Sequence, residues 1–319
     1  DVFVNADYRA DQIVGHLELA RAGRMQVRYL REDRLGGALG SAGTLLHLQD
    51  INAAFDGDFI VMCGDTIADI DLAALVDCHR RSGAAATIAT RRVAPDQVHK
   101  YGIAVTGPEG EIVGFQEKPR PAEAASDLAS TGIYVFNPRA LALLPRKGAM
   151  DIAGDLLPRL LAAGERVQSY EADFAWMDIG APIDLYNASV RALGQRIAGA
   201  EPAGIRGRGG VWLGDGARLS RLSAVKGPAF IGADARVAAG ASLRGPVIIG
   251  TDARIGAGAQ LRHCLVLPGT TVPRGQRIES EIVGPGFRIP LRSKPEVERA
   301  DRLAAGAPRA VVAGAAQGV

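Results

Sequence analysis

Two carboxylates in this sequence stand where a folded chain can put them to chemical use. Asp65 follows Phe59-Ile60-Val61-Met62-Cys63-Gly64. The apolar run predicts a strand buried on both faces, as in a parallel sheet. A carboxylate just past such a strand lies where open α/β sheets bind ligands; the plain alternative is a turn, in which Gly64 and Asp65 are common residues. Asp178 ends a second apolar stretch, Ala175-Trp176-Met177, and a turn cap is its plain reading. Glu117-Lys118-Pro119 sets opposite charges side by side, most often a solvated surface pair. Residues 31–44 carry Gly36, Gly37, Gly40 and Gly43 ahead of a predicted helix. Glycines there let backbone N–H groups approach a ligand, but the loop lacks the dinucleotide fingerprint and the P-loop Lys-Ser/Thr pair. His16, His47, His79 and His99 form no metal spacing.

The elements that must position these residues alternate between strand and helix. Strands are predicted at 2–4, 27–30, 59–63, 84–90, 130–136 and 167–170, with an antiparallel hairpin pairing 101–105 with 112–115. Helices are predicted over 8–22 with Gly23 as C-cap, over 45–50, over 71–80 with Asp71 as N-cap, over 151–163 with Asp151 as cap, and from Pro182 to about 193. Pro158 should kink the fourth of these.

Beyond a Gly- and Arg-rich linker at 195–210 the pattern changes. Leu213, Leu219, Val225, Ile231, Val237, Leu243, Ile249, Ile255, Leu261 and Leu267 recur every six residues. A period of six fits neither a helix nor a sandwich strand; it is the hexapeptide β-helix signature. With three hexapeptides to a triangular coil, about three coils are expected over 211–285, the period breaking at Pro273. A tail with a short helix near 296–304 completes the chain.

Composition narrows the function classes. Hydrophobic residues make up 47% and charged residues 23%, as in a soluble globular protein. A net charge of +2 gives no bulk electrostatic case for nucleic acid or an acidic membrane. Cys63, Cys78 and Cys264 are scattered, which offers no disulfide framework or zinc spacing and suits a reducing, cytoplasmic setting. No apolar run approaches the roughly 18 residues of a membrane span.

Taken in order, Val4-Asn5, Leu39-Gly40-Ser41-Ala42-Gly43, Gly64-Asp65, Tyr101-Gly102, Glu117-Lys118-Pro119, Thr131-Gly132-Ile133-Tyr134-Val135 and Trp176-Met177-Asp178-Ile179-Gly180 resemble the sugar-1-phosphate nucleotidyltransferases. That group includes mannose-1-phosphate guanylyltransferases and glucose-1-phosphate thymidylyl- and uridylyltransferases, several with a hexapeptide β-helix. The resemblance implies a Rossmann-like α/β nucleotidyltransferase domain over 1–194, a linker over 195–210, a left-handed parallel β-helix over 211–285 and a tail over 286–319. It implies attack of a sugar 1-phosphate on the α-phosphorus of a nucleoside triphosphate, with pyrophosphate leaving. Charge then builds on phosphoryl oxygens, and cations with exact positioning do most of the catalysis. On this resemblance Asp65 and Asp178 would hold Mg²⁺ and, with Lys118, be catalytic. Lys118 would neutralise the sugar phosphate, Glu117 would accept hydrogen bonds from sugar hydroxyls, and Gly102, Ser130 and Thr131 would complete the sugar-phosphate site. Gly40, Gly43 and Gly64 would line the nucleotide, and Glu32 would read the base edge, which tilts the expectation toward GTP. Nucleoside triphosphate and sugar 1-phosphate are the expected partners, together with further copies of the chain in a homo-oligomer.

The match departs from the family's pattern in three places. The Gly-rich triphosphate loop with its Arg and following Lys-Pro has no counterpart, and the chain opens inside a strand without Met. The first strands of the central sheet are expected to be missing with that loop, so this chain alone is expected not to turn over and to expose a sheet edge. Ser130 stands where the family often has Asn, and Ala181 where it often has Thr, which leaves the sugar open. Two rival readings remain: a non-catalytic nucleotide-sugar-binding regulatory or scaffold subunit of the same ancestry, and a hexapeptide acyltransferase using His263 as general base.

Overall fold

The computed structural model describes residues 1–19, 25–146 and 148–292. The predicted C-cap at Gly23 and the helix near 296–304 lie outside the described residues. By contacts the chain divides into two compact units. Among the described residues the first holds Asp1–Met62 and Asp71–Asp173, and the second holds Cys63–Ile70 and the chain from Phe174 to Arg292.

The first unit opens with β1 (Val2–Ala6), α1 (Ala10–Leu19) and β2 (Val27–Arg31), and β1 and β2 form a parallel pair of their own. There follow α2 (Gly40–Asn52) and β3 (Phe59–Met62); β4 (Thr66–Ala68) belongs to the second unit. The chain returns with α3 (Leu72–Ser82), β5 (Ala86–Arg92), β6 (Gly102–Thr106), β7 (Ile112–Glu117), β8 (Leu128–Phe136), a π-helical turn over Ile152–Leu156, α4 (Leu157–Ala162) and β9 (Val167–Glu171). The mixed sheet runs β7-β6-β8-β5-β9, with β3 also on β8. Its core includes Ile88, Phe136, Leu156 and Leu160, all fully buried.

Several local expectations are met by visible contacts. Asp71 caps α3 by accepting from Ala74 N at 3.0 Å, and Asp151 accepts from Gly154 N at 2.8 Å. Others are corrected. β3 is not buried on both faces: it pairs antiparallel with β8, and Ile60 and Met62 are 39% and 43% exposed. Pro158 falls in the first turn of α4, directly after the π turn, where no N–H is required, instead of inside one regular α-helix over 151–163. α2 begins at Gly40, five residues before the predicted start at Leu45. No side chain caps it. The Met150 carbonyl does so, accepting from Ala42 N at 2.9 Å and Gly43 N at 3.2 Å.

His79 is buried on α3. Its Nδ1 lies 2.8 Å from Thr87 Oγ1 and its Nε2 3.5 Å from Asp58 Oδ1. Burial holds its pKa below the ordinary 6.5, against the pull of Asp58 and with Arg139 and Arg80 adding to the depression. The folded state therefore favours the neutral ring. As pH falls below the unfolded value the unfolded chain takes up the proton first, so stability is full above about pH 6.5. It should decline as pH drops through the folded pKa. Denaturant midpoints measured between pH 8 and 5 should fall on the acid side, and His79→Gln should flatten part of that slope.

The second unit contains β4, β10 (Trp176–Asp178), α5 (Pro182–Leu193), β11 (Ile205–Arg206) and a solenoid. Its strands are β12 (Val211–Leu213), β13 (Arg218–Leu219), β14 (Ala224–Lys226), β15 (Ala229–Ile231), β16 (Arg236–Val237), β17 (Ser242–Ile249), β18 (Arg254–Ile255), β19 (Gln260–Val266), β20 (Thr271–Val272), β21 (Arg277–Glu279), β22 (Glu281–Gly284) and β23 (Phe287–Pro290). β12, β15, β17, β19 and β22 stack in parallel on one face, and β13, β16, β18 and β20 on another. This makes about four turns, more than the three predicted, and is consistent with a left-handed hexapeptide β-helix. Part of the expected linker is built in, since β11 pairs with β12. α5 joins the same unit, laying Tyr186 and Leu193 against Ile248, Leu265 and Ile282.

The six-residue period slips earlier than expected. Arg244 pairs with Arg262, but Val247 pairs with Cys264, so Gly245 and Pro246 oppose His263 alone. From there the inward residues are Val266, Val272 and Ile278, all buried, whereas Leu267 is one residue out of phase and packs with the cluster around α5. His263 alone covers the span that Gly245 and Pro246 cover on β17, with φ at 46°.

Candidate active site

In the first unit the sheet contains a break. β3 ends with Met62 opposite Ile133 of β8, and β6 pairs with the same edge through Ile103↔Ala129. The carboxyl end of β3 and the amino end of β6 therefore face one another across the Thr131–Gly132 edge. Gly102, one residue before Ile103, stands level with Ser130 and pairs with Glu117 of β7. Cross-strand partners share a face, so Glu117, Gly102 and Ser130 form one row. The missing side chain at Gly102 leaves a slot between two polar groups. Glu117 leans over it: a Cβ at position 102 would lie 3.2 Å from Glu117 Oε2.

Lys118 completes this row. Its backbone is left-handed, with φ at 47°, and its N–H donates to the Tyr101 carbonyl at 3.1 Å. A non-glycine residue held there is strained, and the strain swings the side chain out of the pleat. Lys118 Nζ lies 3.1 Å from Glu117 Oε1, and both side chains are exposed. An exposed pair of this kind adds little stability, so the strained turn is explained better by where it puts the ammonium group. Ser130 Oγ lies 3.5 Å from Tyr134 Oη at the other end of the row.

Four predicted site residues face elsewhere. Thr131 is buried, and its hydroxyl donates to the Ala89 carbonyl at 2.8 Å, so its side chain secures the bulge opposite Ala89. Glu32 is buried too. It accepts from Thr44 Oγ1, from Leu39 N at 3.2 Å and from Asn5 Nδ2 at 3.3 Å. Its carboxylate thus ties the glycine-rich loop to β1 and presents no free edge to a base. Gly40, with φ at 74°, has the Met150 carbonyl oxygen 2.3 Å from where a Cβ would stand. Its glycine is required by packing, and the α2 amides expected to meet a ligand are held by Met150. Gly43 is buried at the same contact.

In the second unit β4 and β10 form an antiparallel ladder with Asp178 opposite Thr66. Ile179 N donates to the Asp65 carbonyl at 2.9 Å, so the two aspartates leave one end of the ladder at adjacent registers. Asp65 sits in a turn closed by Thr66 N to Cys63 O at 3.2 Å, and Gly64 beside it is open to space. Another carboxylate lies near Asp178: a Cβ on Gly180 would lie 3.8 Å from Asp178 Oδ2 and 4.0 Å from Asp184 Oδ2. Sequence reading passed over Asp184, which looks like an ordinary acid in the first turn of a helix. Asp69 anchors the site from behind, accepting from Ala175 N at 2.6 Å and Ala198 N at 3.0 Å.

Residues 1–195 match the model of the nucleotidyl transferase family. The chain belongs to that family. Residues 228–263 also match the bacterial transferase hexapeptide repeat, which agrees with the solenoid. Relatives of this chain include a UTP–glucose-1-phosphate uridylyltransferase of Synechocystis sp., 38% identical over 67% of this chain and 56% of its own. A glucose-1-phosphate adenylyltransferase of Desulfitobacterium hafniense is 32% identical over 48% of this chain and 40% of its own. A mannose-1-phosphate guanylyltransferase catalytic subunit beta of Drosophila pseudoobscura pseudoobscura is 32% identical over 60% and 51%. The chain thus spans about half the length of these curated relatives. The crystal structure of HddC from Yersinia pseudotuberculosis complexed with GMP-PN matches the fold with a TM-score of 0.50, at 20% identity over 59% of this chain and 77% of that one.

The carboxylates of this family member suit a hard divalent cation. Mg²⁺ keeps several waters and is commonly held by one or two carboxylates plus phosphate oxygens, rather than by a full protein cage. No cluster of three or more metal-ligating side chains is found among the described residues. His263 has a structural explanation at the register slip, and the neighbouring Cys264 thiol is buried and pushed up to about 12. No helix among the described residues is long and apolar enough to cross a membrane.

Proposed function

We propose that the protein transfers a nucleoside monophosphate from a nucleoside triphosphate to a sugar 1-phosphate. One phosphate oxygen of the sugar 1-phosphate bonds to the α-phosphorus, the α–β phosphoanhydride bond breaks, and pyrophosphate departs with the electron pair. The observation that carries this reading is the row Glu117–Gly102–Ser130 with Lys118 turned out beside it. The slot at Gly102 admits a sugar ring edge, Glu117 accepts from its hydroxyls, and the Lys118 ammonium offsets the phosphate charge. Asp65 and Asp178, with Asp184 adjoining, would hold Mg²⁺. The bound ion would neutralise charge on phosphoryl oxygens.

The base is a separate question. The case for GTP rested on Glu32, and its internal hydrogen bonds remove that support. The names of the relatives divide among uridylyl-, adenylyl- and guanylyltransferases.

The test is pyrophosphate release by the natural protein containing this chain, over the four nucleoside triphosphates and a panel of sugar 1-phosphates. One pair should stand out. Gly102→Ala, which fills the slot and presses on Glu117 Oε2, should lower kcat/KM for the sugar phosphate by about ten- to a hundredfold and leave the KM for nucleotide unchanged. Binding of a nucleotide sugar without turnover on any pair would instead identify a regulatory or scaffold subunit.

A further inference from the structure

The outer surface of the solenoid carries a charge pattern for which the transfer reaction has no use. Between residues 211 and 292 the chain has eleven Lys and Arg against five Asp and Glu, so the solenoid is basic although the whole chain is near neutral. On the face formed by β13, β16, β18 and β20, Arg218 pairs with Arg236, Arg236 with Arg254, and Arg254 with Thr271. Strands in register lie ~4.8 Å apart, so three guanidinium groups rise from adjacent rungs, and all three are exposed. Like charges directly opposite one another across strands are destabilising. Among the described residues none of the three has a carboxylate within salt-bridge distance; Glu279 is engaged by Arg262 and Arg277, Glu281 by Arg288, and Asp215, Asp234 and Asp252 form no ion pair with the ladder. A parallel ladder on another face, Lys226, Arg244 and Arg262, ends on Glu279 and is partly neutralised.

The residues beside the arginine ladder are small. Ser220, Ala238 and Gly256 follow each rung, and with Arg274 they complete a groove of about 500 Å³. The result is a shallow trench lined mostly by apolar surface, with the stems of the three arginines along it. Its chemistry restricts the occupant. Single-stranded nucleic acid is held largely by stacking on aromatic side chains, and this trench has none. A phosphoanhydride chain carries charge on every unit, and its oxygens accept the bidentate guanidinium fork.

We propose that the arginine ladder Arg218–Arg236–Arg254 is a binding site for a short linear oligophosphate. The probe is inorganic tripolyphosphate, titrated calorimetrically into the natural protein at fixed ionic strength. Arg236→Gln with Arg254→Gln should weaken binding at least tenfold and leave basal pyrophosphate release unchanged, whereas Lys226→Gln with Arg262→Gln should leave binding unchanged. Arg236→Lys with Arg254→Lys keeps the charge but loses the fork, and should weaken binding at least threefold; this pair carries the test if the Gln pair does not fold. Equal affinity of the wild type and both ladder variants would place tripolyphosphate elsewhere and overturn the proposal. So would no measurable binding, or an equal loss from the Lys226 and Arg262 pair, which would reduce the effect to net charge.

Discussion

Asp65→Asn should reduce pyrophosphate release by the natural protein by about a thousandfold, near the upper end for loss of one electrostatic stabiliser of a transition state. The fold should survive. Asp65 sits in an exposed turn, and Asn occupies such turns as readily as Asp. The ladder contact that fixes the position, Ile179 N to Asp65 O, is a backbone bond and does not depend on the side chain. The substitution therefore removes one negative charge and little else. Asp184→Asn is the informative comparison. If Asp184 serves only the first turn of α5, its loss costs about 0.3–1 kcal/mol of stability and leaves the rate alone. If it orients the cation or its waters, the rate falls with Mg²⁺ dependence shifted to higher concentration. Full activity in Asp65→Asn, with an unchanged Mg²⁺ requirement, would remove the carboxylates from the mechanism.

What the sequence disclosed about this site, and what it hid, follows from the range over which each feature is determined. Asp71 and Asp151 were legible as caps because the amides they accept from lie three residues away. Gly102, Glu117 and Ser130 could be named singly, but their row depends on the pairing of β6 with β7 and β8, which no local pattern encodes. Gly40 and Glu32 show the opposite failure. A glycine-rich loop before a helix looks like a ligand cradle, yet the helix amides are taken by the Met150 carbonyl and the acid by Thr44 and Leu39 N. Partners over a hundred residues along the chain, as Met150 is, leave no trace in a local window. The same holds for β3, whose apolar run reads as central although only β8 pairs with it among the described residues.

Leu243→Ala should destabilise the solenoid by about 2–5 kcal/mol, and Leu267→Ala by clearly less, although both residues stand at the same position of the six-residue period. Leu243 is fully buried at the centre of the stack, between Val225 on one rung and Leu261 on the next. In a solenoid each coil is supported only by its neighbours, so a cavity there weakens two interfaces at once. Leu267 stands past the slip at His263, and Val266 takes the inward position in its place, paired with Ile249. Denaturant midpoints followed by a probe within the solenoid, such as Trp212 fluorescence, separate the cases. Equal losses for the two variants would mean that the period runs unbroken through 267 and that the pairing of Gly245 and Pro246 against His263 is not the register of the folded protein. Val266→Ala closes the argument. It should cost more than its neighbour Leu267→Ala despite removing less side chain, a reversal that follows only if the turn at His263 advances the inward position by one residue.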